Sequence, residues 1–176
     1  MIETVELSSL KPSDADLISK AFQSIGWNKP PSQYERYLEE QDHGTRVVLV
    51  AWSGGTFAGY VTLVWNSNYA PMENDGIPEI QDLNVLPQFR RNGIGSLLLD
   101  EAERIASTTG TEVGLGVGLH PGYNAAQRLY VKRGYVPDGC GVTYRNDFIR
   151  EGATVVADDD LVLHFRKTLA VQTKAG

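Results

Sequence analysis

The order of residues predicts an α/β fold around a mixed sheet. Three observations carry that expectation. Strand-like runs rich in β-branched residues alternate with runs of helical period along the chain. Residues 45–55 and 56–65, "TRVVLVAWSGG" and "TFAGYVTLVW", meet at a Gly-Gly turn and read as an antiparallel hairpin. Residues 79–86, 94–106 and 111–119 read as strand, helix and strand, the unit that joins two parallel strands by a crossover.

Taken in order, "IETVELSSL" alternates as a first strand. "KPSDADLISKAFQSIGW" is expected to be a helix, with Ser13 as N-cap and an end near Gly26. "PPSQYERYLEEQ" is a second helix, stopped by "DHG". After the hairpin, "NSNYAPMENDGIP" is polar and turn-rich and reads as a loop. "EIQDLNVL" is the next strand, and beyond it Ile94, Leu97, Leu98, Ala102, Ile105 and Ala106 fall on one face of a helix. "TEVGLGVGL" is a strand, "YNAAQRLYVKR" a helix and "GYVPDGCGVTYR" a strand. "NDFIREGATVVADDD" is a loop with room for a short strand, and "LVLHFRKTL" is the last strand. That makes about seven strands and about four helices.

A chain of 176 residues suits one domain, 1–176, with a core over about 3–168 and a tail over 169–176. At this size roughly 70% of the unfolded surface can be buried without staples. A net charge of −6 argues against sequence-independent nucleic-acid binding, which needs a basic face. The single cysteine, Cys140, permits no internal disulfide and points to a reducing compartment, so a cytoplasmic protein is expected. The opening residues lack the basic-then-apolar pattern of a signal peptide. No apolar run approaches the ~18 residues of a membrane span, and no membrane partner is expected. No His/Cys/Asp/Glu cluster has metal spacing, so no metal is expected.

The densest signal lies between a strand and a helix. Arg90, Arg91, Asn92, Gly93, Ile94, Gly95 and Ser96 occupy that turn. A helix start leaves about four N–H groups without intrahelical partners and carries about half a positive charge. Glycines let an anion approach the backbone, and the arginines add donors. The combination describes a pyrophosphate cradle. A P-loop is excluded, because no Gly-Lys-Ser or Gly-Lys-Thr occurs. A dinucleotide fingerprint fails too, since Leu98 stands where its third glycine belongs, and "GLGVG" at 114–118 sits in an alternating strand. The same turn taken alone also fits a tight connection with a solvated basic patch.

Arg90-Arg91-Asn92-Gly93-Ile94-Gly95 fills the pattern Gln/Arg-x-x-Gly-x-Gly/Ala. One strand later, "NAAQRLYVKRGY" supplies Asn124, Tyr130 and Gly134-Tyr135. With both stretches the chain resembles the GNAT superfamily, the GCN5-related N-acetyltransferases. The resemblance runs over residues 3–168 in element order and is sharp over 79–136. It implies the acyl-CoA N-acyltransferase fold, a mixed and mostly antiparallel central sheet flanked by helices, with acetyl-CoA as cosubstrate.

The resemblance also implies roles. The turn from Arg90 to Ser96 would bind pyrophosphate. Leu83 and Val85, with Asn84 between them, would pair their main chain with the pantetheine arm, as in strand addition. Tyr130 would be the acid for the leaving thiolate, since a phenol with pKa near 10 is protonated at neutral pH. The alternative for Tyr130 is plain packing with Ala126 and Leu129. Glu79, eleven residues before Arg90, stands where several family members place a catalytic base. The alternative for Glu79 is a solvated glutamate at a strand entrance. Alternation puts Glu79, Gln81, Leu83 and Val85 on one face and turns Asp82 the other way unless a bulge intervenes. Asn124 would contact the cofactor arm or merely cap its helix.

Direct attack by an amine in a ternary complex is the expected reaction. A longer acyl group, or a silent acyl-CoA sensor, are the alternatives. The acceptor would be a small-molecule or peptide amine. Trp27, Tyr34, Tyr37, Trp65, Tyr69, Asp147, Glu151 and the run Asp158-Asp159-Asp160 are the candidates to shape its site. The Asp run also reads as a solvated strand entrance. His120 reads as a loop or cap residue and His164 as packed or half exposed. A homodimer is the assembly that the family resemblance suggests.

Overall fold

A computed structural model describes residues 4–170. The chain divides into two compact units, Met1–Trp65 with Gln81–Ile105, and Asn66–Ile80 with Ala106–Gly176.

The first unit begins with β1 (Val5–Ser9), α1 (Ala15–Gln23) and α2 (Pro31–Asp42). A 3-10 turn over Pro12–Asp14 leads into α1. Ser13 is not its cap: Asp14 stands at the N-cap position without a side-chain cap bond to α1, and its carboxylate instead accepts from the Lys11 amide at 2.9 Å and from the Ser13 hydroxyl. The hairpin is as expected. β2 (Arg46–Ser53) turns through Gly54 and Gly55, both at positive φ, into β3 (Thr56–Val64). Ile18 and Phe22 from α1, Tyr34 and Tyr37 from α2, and Val48, Val50, Phe57 and Tyr60 from the hairpin form one core. Each such side chain contributes about 1.5–3 kcal/mol on burial. α4 (Ile94–Ala106) buries Ile94, Leu98, Leu99, Ala102 and Ala106. Leu97, expected on that face, is exposed. The stripe is centred one step round the helix, where Leu99 lies.

In the second unit the stretch expected to be a loop contains α3 (Ala70–Asp75), ended by Gly76 in the left-handed conformation. A helix of this length shows no periodicity, although Pro71 near its start and Gly76 at its end are ordinary helix punctuation. β5 (Glu112–Gly118), α5 (Asn124–Lys132), β6 (Val136–Tyr144), β7 (Asp147–Phe148) and β8 (Leu161–Thr168) follow. The glycines of "GLGVG" make room for side chains. A Cβ on Gly114 would strike Met72, and one on Gly118 would strike the Tyr123 ring. β6 slips register between Pro137 and Val142, with Gly139 and Gly141 left-handed. Leu169 is buried and its amide donates to Thr111, while the tail from residue 171 onward lies outside the described residues.

β4 (Glu79–Val85) passes from one unit into the other. Strand order is β1-β2-β3-β4-β5-β8-β6-β7. The β4–β5 pair is parallel, as the crossover required, and takes in only Glu79–Gly114 and Ile80–Leu115. The mixed α/β class therefore stands, with eight strands and five α-helices among the described residues where about seven and four were expected.

Candidate active site

The turn before α4 has two left-handed residues, Arg91 at φ 65° and Gly93 at φ 79°. A side-chain-bearing residue there is uncommon and marks a backbone held for a purpose. Gly93 accepts from the Leu97 amide at 3.0 Å, so the helix begins on it. The amides of Ile94, Gly95 and Ser96 form the first turn, whose N–H groups point out of the helix. A Cβ built on Gly93 meets nothing within 4 Å, so there is open space beside the turn at Gly93 itself. Arg91, Asn92 and Gly93 are exposed, and Ile94 is buried. Arg90 is held differently. Its Nε donates to the Val85 carbonyl at 3.0 Å, and its guanidinium lies 5.7 Å from the Trp27 ring centroid. The turn and the end of β4 are thereby tied together. An α-helix of 13 residues opening on such a turn suits a diphosphate.

Leu83, Asn84 and Val85 are half-buried. Gly59 of β3 lies so close that a Cβ on it would stand 2.4 Å from the Asn84 carbonyl oxygen. Just before them the alternation breaks. Asp82 is left-handed at φ 54°, and its carboxylate accepts from Lys29 Nζ at 2.8 Å, Gln33 Nε2 at 2.9 Å, Tyr37 at 3.0 Å and Asn84 Nδ2 at 2.7 Å. The Tyr60 hydroxyl donates to it as well. Burial opposes its ionisation, but the Lys29 charge and the hydrogen bonds from Lys29, Tyr60 and Tyr37 outweigh that and hold its carboxyl below the usual range.

In the second unit, Glu79 is 7% exposed, which overturns the solvated reading. Its Oε2 accepts from the Ser67 hydroxyl at 2.7 Å, and Ser67 Oγ accepts from the Tyr69 amide at 3.0 Å. The start of β4 is thus pinned to the segment leading into α3. Tyr130 is 7% exposed and packs edge-on to Tyr135 at 5.8 Å between ring centroids. Its ring partner is thus Tyr135. Burial pushes its phenol up to about 12. Asn124 is exposed and is the first helical residue of α5, with Tyr123 at the capping position. Asn124 and Tyr130 share one helix.

Several expected acceptor-site residues serve elsewhere. Tyr34, Tyr37 and Tyr69 are buried. The Asp run is partnered: Asp158 accepts from Tyr144, Asp159 meets His120 Nε2 at 2.7 Å, and Asp160 meets Arg145. His120 caps the short turn over Pro121–Tyr123, accepting from the Gly122 amide. His164 is fully packed. Sequence reasoning missed the Asp82 network and the Ser67 contact. Their only signal was the polar residues themselves, scattered along the chain.

Strand, left-handed turn and helix origin define an α/β protein with a backbone turn of the kind that can accept an anion. The acetyltransferase (GNAT) family model matches residues 15–135, and the chain belongs to that family. Similar solved structures include a GNAT-family protein from Desulfovibrio desulfuricans, at 19% identity and TM-score 0.71, covering 95% of this chain and 100% of that one. A GNAT-family acetyltransferase from Streptococcus pneumoniae is 22% identical, with TM-score 0.66 and coverage of 94% and 100%. A Salmonella typhimurium protein, solved with its cofactor acetyl-CoA, is 16% identical, with TM-score 0.66 and coverage of 97% and 96%. At these identities the likeness establishes the fold. Among curated proteins, none matches the chain in sequence. Among the described residues no helix is long and apolar enough to cross a membrane.

Proposed function

We propose that the protein is an acetyl-CoA-dependent N-acetyltransferase that acts on a primary amine by direct attack in a ternary complex. The observation that carries this reading is the open, left-handed turn at the origin of α4. First-turn amides lack intrahelical partners and suit an anion, and the exposed Arg91 and Asn92 beside them add charge and donors for a pyrophosphate. The short parallel ladder between β4 and β5 supports strand addition by the pantetheine amides along Leu83–Val85.

Acetyl-CoA supplies the thioester carbon that the amine attacks, so a C–N bond forms and the C–S bond breaks. Glu79 takes the proton that the attacking ammonium must lose, relayed through water because its carboxylate is buried against Ser67. Tyr130 gives its phenolic proton to the departing sulfur. Burial keeps that phenol protonated throughout the working range. Asn124, exposed at the first turn of α5, contacts the pantetheine arm. The acceptor is a small-molecule or peptide amine. The relatives of this fold include spermidine N-acetyltransferases and an acetyltransferase of a ribosomal protein N-terminus. The protein works in the cytoplasm, and homodimer formation follows family habit.

The test is thiol release from acetyl-CoA across a panel of amines, followed by Tyr130→Phe with the best acceptor. Turnover with at least one amine is expected, and the variant is expected to lose about a hundredfold in kcat. Binding of acetyl-CoA with no thiol release from any amine would leave a sensor instead. Faster turnover with longer acyl-CoA donors would reassign the acyl group.

A further inference from the structure

Asp82 has no part in the chemistry above, yet β4 is built around it. It adopts a left-handed backbone in mid-strand, where a residue with a Cβ is uncommon. Five side chains donate to its carboxylate, from the α1–α2 connection (Lys29), from α2 (Gln33, Tyr37), from β3 (Tyr60) and from β4 itself (Asn84). A carboxylate offers about four lone-pair sites. Asp82 is therefore saturated, with no capacity left to bind a ligand or exchange a proton in turnover. What remains for it is to hold a shape.

The shape is the kink that directs the next three residues. Asn84 folds back on Asp82 twice, donating to its carbonyl at 3.1 Å and to its carboxylate at 2.7 Å. The same α1–α2 connection grips the far end of the stretch, where Trp27 lies under Arg90 and Arg90 donates to the Val85 carbonyl. Lys29 and Trp27 thus hold Leu83–Val85 from both sides.

We propose that Asp82 is a positioning residue for the acyl donor: ionised and fully hydrogen-bonded, with Lys29 as counter-charge, it fixes the kink that presents the main chain of Leu83–Val85 to the pantetheine arm. This rests on the acyl-CoA reading given above. The asparagine of Asp82→Asn keeps the size but removes the charge and turns one acceptor into a donor facing other donors. The pyrophosphate turn is untouched by that change. The effect therefore falls on the part of the ligand that lies along β4.

Calorimetric titration with two ligands separates the possibilities. One is acetyl-CoA, and the other is the nucleotide diphosphate fragment of coenzyme A that lacks the pantetheine arm. Asp82→Asn is expected to weaken acetyl-CoA by at least about tenfold and to leave the fragment within about twofold. Lys29→Met is expected to give the same selective loss, smaller in size, and serves as the test if Asp82→Asn does not fold. Equal weakening of both ligands in a folded variant would make Asp82 an ordinary structural residue and overturn the proposal. Unchanged acetyl-CoA binding would overturn it too. Binding of neither ligand by the unaltered protein would sink the acyl-CoA reading itself, and this proposal with it.

Discussion

The phenol ring of Tyr69 lies flat on the imidazole of His164, with centroids 3.6 Å apart and planes 3° from parallel. Beyond the stack, the Tyr69 hydroxyl donates to Asp138 at 2.7 Å, while His164 Nδ1 is buried without a hydrogen-bond partner. Burial lowers the His164 pKa to about 4, against a weaker upward pull from Asp138. The imidazole is therefore neutral in the folded protein at ordinary pH.

That neutrality makes stability depend on pH. In the unfolded chain His164 gains a proton near pH 6.5, whereas in the folded protein it resists until about 4. Between those values the unfolded state binds more protons, so stability falls as pH drops and levels off below the folded pKa. The whole window is worth on the order of 3 kcal/mol. His164→Phe keeps an aromatic ring on Tyr69 and removes the titration. Denaturant midpoints measured from pH 7 to 4 should fall less steeply in the variant. An identical slope in both proteins would remove His164 from the acid response.

Tyr130 titrates in the other direction, with its phenol raised to about 12 by burial. Ultraviolet titration of phenolate in the unaltered protein and in Tyr130→Phe should therefore coincide up to about pH 11. One extra phenol ionising near pH 10 in the unaltered protein would show that the ring is solvated.

Gly59 and Gly114 offer a contrast. A Cβ at Gly59 would meet the Asn84 carbonyl oxygen at 2.4 Å and the Val85 Cα at 3.0 Å, both main-chain atoms that cannot rotate away. At Gly114 the obstruction is the end of the Met72 side chain, which can swing aside. Gly59→Ala should cost about 1–3 kcal/mol and weaken acetyl-CoA, because the shift falls on Leu83–Val85. Gly114→Ala should lower the melting temperature less and leave acetyl-CoA affinity in place. Thermal melts with and without ligand check both.

Gly93→Ala meets no steric obstacle, since nothing lies within 4 Å of the added methyl. Its cost is conformational, about 1 kcal/mol for φ 79° in a residue with a Cβ. The methyl would also add bulk to the turn from which α4 begins. A modest loss of stability is expected, together with about a tenfold loss of acetyl-CoA affinity. Undiminished affinity would move the pyrophosphate away from this turn.

Residues close in sequence carried much of this in plain view. Gly54 and Gly55 between two β-branched runs set the hairpin, and Gly93 at the head of an amphipathic run set the turn. Backbone geometry of that kind is decided by neighbours within a few residues, so spacing alone reveals it. α3 was too short to show a period, and the choice of Leu99 over Leu97 on α4 depended on what the helix packs against. The Asp82 anchorage was hidden for a different reason. Its partners Lys29, Gln33, Tyr37 and Tyr60 lie 53, 49, 45 and 22 residues away along the chain. Tyr34, Tyr37 and Tyr69 looked available for an acceptor, yet all are spent in the interior. Sequence by itself determined the order of the longer elements and the turn before α4, because both follow from local backbone preference. Only the tertiary structure decided which polar side chains meet and which are buried, because those encounters depend on long-range packing that no local pattern encodes.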